Sequence, residues 1–338
     1  MRVLLIWRAQ FLGPDGGMEH VCSGMANHLA ETGNEAGILC CAEKEGTPFF
    51  PLSPDVKLFN MLAGMENAKE KYMPPWAAGI RECLRICSKP VMFRWVSHRK
   101  NKILVQPVQR VVKNFRPDVI VSFDPETTIL LRESLGLPFP VPLITMFHFS
   151  VKKVIQYHSE EERQAISSSY AVQLLTEQEK EEFCTVFPDV RAVCIPNAVS
   201  PCPVAAHLTG HLKHRIVCIA RFEKTTKRQH ILIQAFSRLA DQFPDWNLSF
   251  YGSQGTAYTE ELKKMIADRN LSQQIHILPP VKDVYSVYQN SDIAGIPSAY
   301  EGFGLSLAEG MNAGLPAVGF ASCPGVIELI KKKKNGFL

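Results

Sequence analysis

The sequence predicts an α/β protein built from two Rossmann-like domains, each a parallel sheet covered by helices. Three observations carry that expectation. The chain has 338 residues and is 46% hydrophobic, enough for two cores, since a domain usually holds roughly 100 to 200 residues. Short apolar runs alternate with amphipathic stretches along its length, as parallel strands buried on both faces require. A Pro-, His- and Ala-rich stretch at 201–214 has no apolar period, so it reads as a linker between a first domain at 1–200 and a second at 215–338.

The first series opens with an apolar strand at 3–7. It is far shorter than the ~20 residues needed to cross a bilayer, and polar residues and glycines follow at once, so it is read as a strand and not as a signal peptide. From Gly17 a helix places Met18, Val21, Cys22, Met25 and Leu29 on one face, and Gly33 ends it. A strand at 36–42 follows. After a basic segment come strands at 118–123, 142–148, 171–176 and 192–197, with helices around 126–135, 160–166 and 177–183. In the second series strands are expected at 215–220, 247–252, 274–278, 293–298 and 316–320. Helices at 229–243, 258–269, 284–290 and 305–313 separate them, and a last helix at 324–334 ends in Lys331 to Lys334, where cations suit the negative helix terminus.

The net charge of +4 hides an asymmetry, because residues 69–116 carry twelve Lys and Arg, from Lys69 to Arg116, against only Glu70 and Glu82. Tyr72, Trp76, Phe93 and Trp95 are interleaved, and Pro74, Pro75 and Pro90 break the segment into short helices. This is the composition of an anionic-membrane contact, each cation contributing up to about 1 kcal/mol near such lipid. A solvated helical face with a few packed aromatics is the competing reading. No nucleic-acid motif accompanies the charge, so nucleic acid is not an expected partner. Ten cysteines without a C-x2-C pair suggest buried reduced thiols in a cytoplasmic protein.

The most informative stretch is 297–311, Pro-Ser-Ala-Tyr-Glu-Gly-Phe-Gly-Leu-Ser-Leu-Ala-Glu-Gly-Met. It places Glu301 and Glu309 eight residues apart across a glycine-bearing loop and a helix start. Gly302, Phe303, Gly304 and Leu305 let backbone N–H groups approach an anion at a helix N-terminus. Glu301 then lies near a diphosphate and sugar, and Glu309 can accept hydrogen bonds from vicinal hydroxyls. Alternatively Ser306-Leu307-Ala308-Glu309 is a capping box and Glu309 only caps its own helix. Arg221 and Lys227 follow the first strand of the second domain, beyond the carboxyl end where open parallel sheets bind ligands, and suit a departing diphosphate. With Lys224 and Arg228 beside them, a solvated basic turn stays open as well. His148 and Asp124 both end strands of the first domain; a lone His there is as well explained by a hydrogen bond to backbone, and Asp124 has no motif behind it.

These residues resemble the E-x7-E motif of family 4 retaining glycosyltransferases, which have the GT-B fold of two Rossmann-like domains facing a cleft. The resemblance recurs in order along nearly the whole chain. Gly16-Gly17-Met18-Glu19 resembles the family's N-terminal Gly-Gly loop, and Ile195-Pro196-Asn197-Ala198-Val199 its segment before the linker. Ala220-Arg221 through Lys227-Arg228-Gln229 resembles the Gly-Arg…Lys turn, with Ala for the usual Gly, and Leu248 to Gly252 the next strand and its glycine. At Leu278-Pro279-Pro280-Val281 the family generally has Gly where Pro280 stands, before the residue that lines the base pocket, here Val281. The family usually continues past the point where this chain stops, so the second domain is expected to be incomplete.

The resemblance implies hexosyl transfer with retention from a nucleotide sugar, UDP-sugar being the first choice, to a glycan or lipid-linked acceptor in surface polysaccharide or lipopolysaccharide assembly. It implies Glu301, His148, Arg221 and Lys227 as catalytic, the histidine lying close to the transferred sugar. The donor would be held by Gly16, Gly17, Arg221, Lys227, Val281, Glu301, Gly302, Phe303, Gly304, Leu305 and Glu309. No D-x-D element is present in a plausible place, so no obligatory metal and no cofactor beyond the co-substrate are expected. The location implied is cytoplasmic, peripheral on the inner face of the membrane. A GT-B sugar-nucleotide epimerase and a non-catalytic glycosyltransferase-like subunit remain as rivals. A glycosidase would leave the Arg221 and Lys227 pair without purpose, and Gly13-Pro14-Asp15-Gly16-Gly17 is not the G-x-G-x-x-G of a dehydrogenase.

Overall fold

The computed structural model describes residues 1–13, 16–148, 150–206, 208 and 213–338, which form two compact units, Met1–Pro196 and Asn197–Leu338. The first unit runs β1 (Arg2–Ile6), α1 (Gly17–Glu31), β2 (Glu35–Cys40), β3 (Lys57–Asn60), α2 (Ala68–Tyr72), α3 (Pro75–Cys87), α4 (Lys89–Phe115), β4 (Val119–Ser122), α5 (Pro125–Leu135), β5 (Leu143–Met146), α6 (Val151–Tyr157), α7 (Glu160–Ser167), β6 (Ala171–Leu174), α8 (Glu177–Val186) and β7 (Ala192–Cys194). The second runs β8 (His214–Ile219), α9 (Gln229–Ser237), β9 (Trp246–Tyr251), α10 (Ala257–Ala267), β10 (Ile275–Leu278), α11 (Val284–Tyr288), β11 (Ile293–Gly295), α12 (Leu305–Asn312), β12 (Ala317–Val318), α13 (Pro324–Leu329) and β13 (Gly336–Phe337). Their sheets have the orders β3-β2-β1-β4-β5-β6-β7 and β10-β9-β8-β11-β12-β13, and the strands pair in parallel throughout both. Two parallel-sheet α/β units of this kind are the architecture expected from the sequence.

Period-2 alternation explains why the strands read as unbroken apolar runs. In β1, Val3 and Leu5 pack with Cys22 and Ala26 of α1, while Leu4 and Ile6 pack on the other face with Leu104 and Val108 of α4. In β8, Val217 joins the cluster of α11, α12 and α13, and the next residue, Cys218, faces Ile233 of α9 and Leu262 of α10.

The basic segment differs from its expectation of short helices. Pro75 and Pro90 do begin helices, but α4 runs 27 residues and contains Pro107, because nothing else in it breaks the apolar stripe of Leu104, Val108 and Phe115 that holds it on the sheet. The last helix is also shorter than expected: α13 stops at Leu329. Asn335 accepts from Lys331 N–H at 2.7 Å and donates to the Leu329 carbonyl at 3.1 Å, and Lys333 takes φ 62, so Lys331 to Lys334 form an exposed turn into β13, not a helix end. Three cysteines expected to be buried, Cys83, Cys87 and Cys184, are exposed. The 201–214 stretch is seen only in part, residues 207 and 209–212 lying outside the described residues. The stretch and the residue before it pack on α12 and its end, with Ala206 N–H donating to the Ala313 carbonyl at 2.7 Å and Asn312 Nδ2 to the Ser200 carbonyl at 2.9 Å.

Gly252 follows β9 directly, at a place where a Cβ would lie 2.2 Å from the Ala220 carbonyl oxygen. That oxygen belongs to backbone and cannot swing aside. Gly252→Ala is therefore expected to destabilise the second unit by about 1–3 kcal/mol, the usual cost of overpacking, and urea denaturation against wild type measures it.

Candidate active site

In the second unit the loops after β8 and β11, neighbouring strands, are tied to each other. Ala299 N–H donates to the Thr226 carbonyl at 2.7 Å, and Arg228 Nε donates to the Pro297 carbonyl at 3.1 Å. Lys227 Nζ reaches both oxygens of Glu301, at 2.7 and 2.8 Å, and Ser298 Oγ donates to Oε1 at 2.5 Å. The pair is largely withdrawn from water, with side chains 19% and 11% exposed. An ammonium has three donors, so this contact leaves one of Lys227 uncommitted to Glu301. Arg221 is exposed, and Gln229 Nε2 fixes its carbonyl at 2.8 Å.

The basic-turn alternative is thereby divided among its members. Lys224 pairs with Glu261 on the surface at 2.6 Å. Arg228, in the left-handed conformation before α9, has its guanidinium 5.2 Å from the Phe320 ring centre. Glu223 braces the turn by accepting from Thr225 and Thr226 N–H at 3.2 and 3.1 Å. Although burial acts to raise its carboxyl, the hydrogen bonds from Thr225 and Thr226 hold it below the ordinary value.

Glycine sets the start of α12. Gly304 takes φ 83, a region ordinary side chains avoid, and is the N-cap, without a side-chain cap. Leu305 is therefore the first helical residue and Ser306 the second. The alternative in which Ser306 and Glu309 form a capping box does not hold, because the box needs Ser306 outside the helix. Glu309 is 4% exposed, one turn in, on a helix pressed so closely to β11 that a Cβ on Gly310 would meet Ala294 Cβ at 2.8 Å. Gly302 and Phe303 are half-buried. A Cβ on Gly325 would lie 2.8 Å from the Glu301 carbonyl and from Phe303 backbone, so the approach of α13 fixes this loop. Val281 is half-buried after β10 and packs with the cluster of Tyr285 and Tyr288.

In the first unit, Gly16 is the N-cap of α1 and the exposed Gly17 its first residue; Pro14 and Asp15 lie outside the described residues. Glu19, 8% exposed in the first turn, suits the positive helix end. His148 follows β5, is 9% exposed, and stacks on Phe123 with ring centres 6.0 Å apart. Its Nε2 is buried without a hydrogen-bond partner among the described residues. Burial alone pulls its pKa down to about 4, so the ring is neutral at physiological pH. The sequence reading missed Ser298 and Arg228, which hold Glu301 and its loop. Ser298 had a faint signal in its position three residues before Glu301, and Arg228 had one in its place beside Lys227, where it was read only as a member of a solvated basic turn.

A sequence model described as Glycosyltransferase Family 4 matches residues 15–201, more than half of the chain, and one described as Glycosyl transferases group 1 matches residues 204–338. The chain belongs to glycosyltransferase family 4. This glycosyltransferase is 24% identical over 340 residues to an uncharacterized glycosyltransferase of Haemophilus influenzae, spanning 97% of this chain and 83% of that one. Its fold is similar to sucrose-phosphate synthase from Thermosynechococcus elongatus, with a TM-score of 0.74 at 16% identity over 100% of this chain and 85% of that one. It is also similar to an S. aureus TarM variant solved with fondaparinux, α-GlcNAc-glycerol and UDP, with a TM-score of 0.74 at 13% identity over 100% and 89% of the two chains. The third comparison is Anabaena HepE solved with UDP and glucose, TM-score 0.68 at 17% identity over 100% and 85%. These likenesses establish the GT-B fold.

Because His148 is neutral in the fold and titrates near its ordinary value when unfolded, the unfolded chain binds more protons between about pH 4 and 6.5. Its contribution is present above pH 6.5 and is lost as pH falls through that window. The His148 Cε1–H NMR resonance is expected not to titrate between about pH 5 and 8; a midpoint near 6.5 would contradict the buried geometry.

Proposed function

We propose that this glycosyltransferase moves a hexosyl unit, with retention, from a UDP-sugar to a glycan or lipid-linked acceptor in surface polysaccharide or lipopolysaccharide assembly. The observation that carries the proposal is Lys227 Nζ at 2.7 and 2.8 Å from the Glu301 oxygens, on a loop that leads through Gly304 into α12. A diphosphate takes up the remaining donor of Lys227, the fork of Arg221 and the free N–H groups of the first turn of α12. Glu301 orients Lys227, and Glu309 accepts from sugar hydroxyls. Val281 borders the base, and Gly16 and Gly17, at the start of α1, take the donor-binding role that the family resemblance implies for them. His148, neutral, serves the transferred sugar as a hydrogen-bonding group. Negative charge grows on the diphosphate as the glycosidic bond breaks, and fixed donors stabilise it; the acceptor hydroxyl attacks from the face the leaving group departs from, so no enzyme nucleophile is required. UDP in the TarM and HepE structures supports the choice of base. No metal or cofactor is assigned a role.

For the acceptor side we propose peripheral attachment to the inner, anionic face of a membrane. Among the described residues no helix is long and apolar enough to cross one. The patch is narrower than 69–116. Arg99 lies 4.9 Å and 5.2 Å from the ring centres of Trp76 and Trp95 and donates to the Tyr72 carbonyl at 2.7 Å, and Lys100 lies 5.9 Å from the Tyr72 ring centre, so those cations serve packing. On α3, Trp76, Ile80, Cys83 and Cys87 recur at i, i+4, i+7 and i+11, all exposed, with Ile86 beside them 80% exposed. Exposed Lys69, Lys71 and Lys89 flank this stripe in sequence, the pairing an interfacial helix needs.

Lys227→Ala and Arg221→Ala are each expected to lower kcat/KM by roughly 10²-fold or more, while binding of free uridine barely changes. Parallel titrations with uridine and UDP check this, and equal losses for both would remove the phosphate role. Glu309→Ala should weaken UDP-sugar binding by about 1–3 kcal/mol.

Vesicle co-sedimentation should show binding to anionic but not neutral lipid, weakened by about 0.5 M salt. Combined Ile80→Ser and Ile86→Ser should abolish it. Binding indifferent to lipid charge, or loss of a dimer in this variant with no lipid binding in wild type, would reassign the stripe.

A further inference from the structure

Away from the Glu301 loop, the first unit contains a second place where polar groups converge on an empty volume. A cavity of about 500 Å³ lies among the ends of α3, α4, α5 and α6. At its base the His158 side chain is 5% exposed. Its Nδ1 faces the Val154 carbonyl at 3.2 Å, which makes Nε2 the acceptor nitrogen of a neutral ring. Nε2 is buried with no hydrogen-bond partner among the described residues, and the nearest carboxylate oxygen, Glu126 Oε1, is 3.8 Å away. That gap is too long for a hydrogen bond. Burial, followed by the charge of Asp124, pushes the Glu126 carboxyl up to about 7, and burial lowers His158. A buried imidazole nitrogen thus faces a half-buried carboxyl, its side chain 23% exposed, without meeting it, and for the nitrogen that is costly unless something supplies the missing partner.

The wall and the mouth define the partner's chemistry. Phe93 stands edge-on to Tyr157 at 5.4 Å and to His158 at 5.9 Å between ring centres, an aromatic surface suited to the C–H face of a pyranose. At the mouth, Arg85 in the last turn of α3 and Lys89, the first residue of α4, are both exposed. Arg85 Nε is held by Glu82 at 2.7 Å, which also accepts from Arg81, so the cluster keeps a net positive charge.

We propose that this cavity binds a phosphorylated sugar, with a hydroxyl bridging His158 and Glu126, the ring against Phe93 and Tyr157, and the phosphate on Lys89 and Arg85. The occupancy is independent of the donor reading; that the bound sugar is the acceptor rests on it. The same head group exists free or esterified to lipid, and the exposed stripe of α3, the helix that carries Arg85, favours the lipid-borne form.

Isothermal titration with α-glucose 1-phosphate, decyl α-glucosyl phosphate and methyl α-glucoside tests the proposal, with UDP titrated in parallel. Both phosphorylated probes should bind and the phosphate-free glycoside should bind at least roughly tenfold more weakly. Combined Arg85→Ser and Lys89→Ser, and separately Met92→Trp, which fills the cavity from its wall, should each weaken the phosphorylated probes by about tenfold or more, with UDP binding unchanged. Tighter binding of the decyl ester identifies lipid as the source, and equal binding identifies the free sugar phosphate. If wild type ignores both phosphorylated probes at about 5 mM while it binds UDP, or if Met92→Trp binds them like wild type, the cavity proposal fails. If the probes bind as expected and UDP does not, the cavity stands and the donor reading falls.

Discussion

The ion pair between Lys227 and Glu301 joins positions 74 residues apart in the chain. It can form because β8 and β11 are neighbours in the sheet, so their carboxyl-terminal loops emerge side by side. Its burial leaves salt little power to screen it, and losing one partner would strand the other charge with little water, a cost of several kcal/mol for a fully buried pair and less here. The loop it anchors then leads to Gly304, to the start of α12, and to the surface against which Gly325 brings α13. The loop is thus held from two sides, by the ion pair and by the close approach of α13. A site assembled this way is set before any ligand arrives, which is what stabilising developing charge requires.

The first unit secures its strand ends mainly through hydroxyls. Thr128 Oγ1 donates to Ser122 Oγ at 2.8 Å and lies 2.7 Å from Thr145 Oγ1, which lies 2.8 Å from Ser169 Oγ. This buried hydroxyl chain links β4, α5, β5 and the turn just before β6. Asp124 caps α5 by accepting from Thr127 N–H at 2.6 Å, the local role that its place after a strand left undecided. His148 stacks in the same region as a neutral ring.

Strands with continuous apolar runs were legible in the sequence because burial on both faces favours apolar residues at successive positions. β3 was not, since Lys57 and Asn60 sit on an edge strand that needs only partial cover, and neither was α6, whose lysines dilute its apolar period. The long α4 was misread because Pro90 marks a helix start while Pro107 is absorbed inside the same helix. At the candidate site, residue identities were readable and their relations were not: nothing local says that Lys227 holds Glu301 rather than solvent. Likewise the aromatic residues between cations suggested a lipid face, but Arg99 lies over Trp76 of α3 and over Trp95 one turn earlier on its own helix. The Glu126 and His158 pair left no trace in sequence, since 32 positions separate two residues of no motif.

The 27-residue length of α4 carries a mechanical consequence. At 1.5 Å per residue it spans about 40 Å. Its carboxyl-terminal half, through Leu104, Val108 and Phe115, is cemented to the sheet, while its amino-terminal end carries Lys89 and Phe93 beside the cavity. It is a strut with one end embedded and the other at the surface. A molecule gripping the surface end would therefore bear on the tilt of the whole first sheet, because the helix runs from that end into the core. Attachment there would convert a tumbling catalyst into one with a fixed attitude, searching in two dimensions and presenting the same strand ends to each substrate it meets.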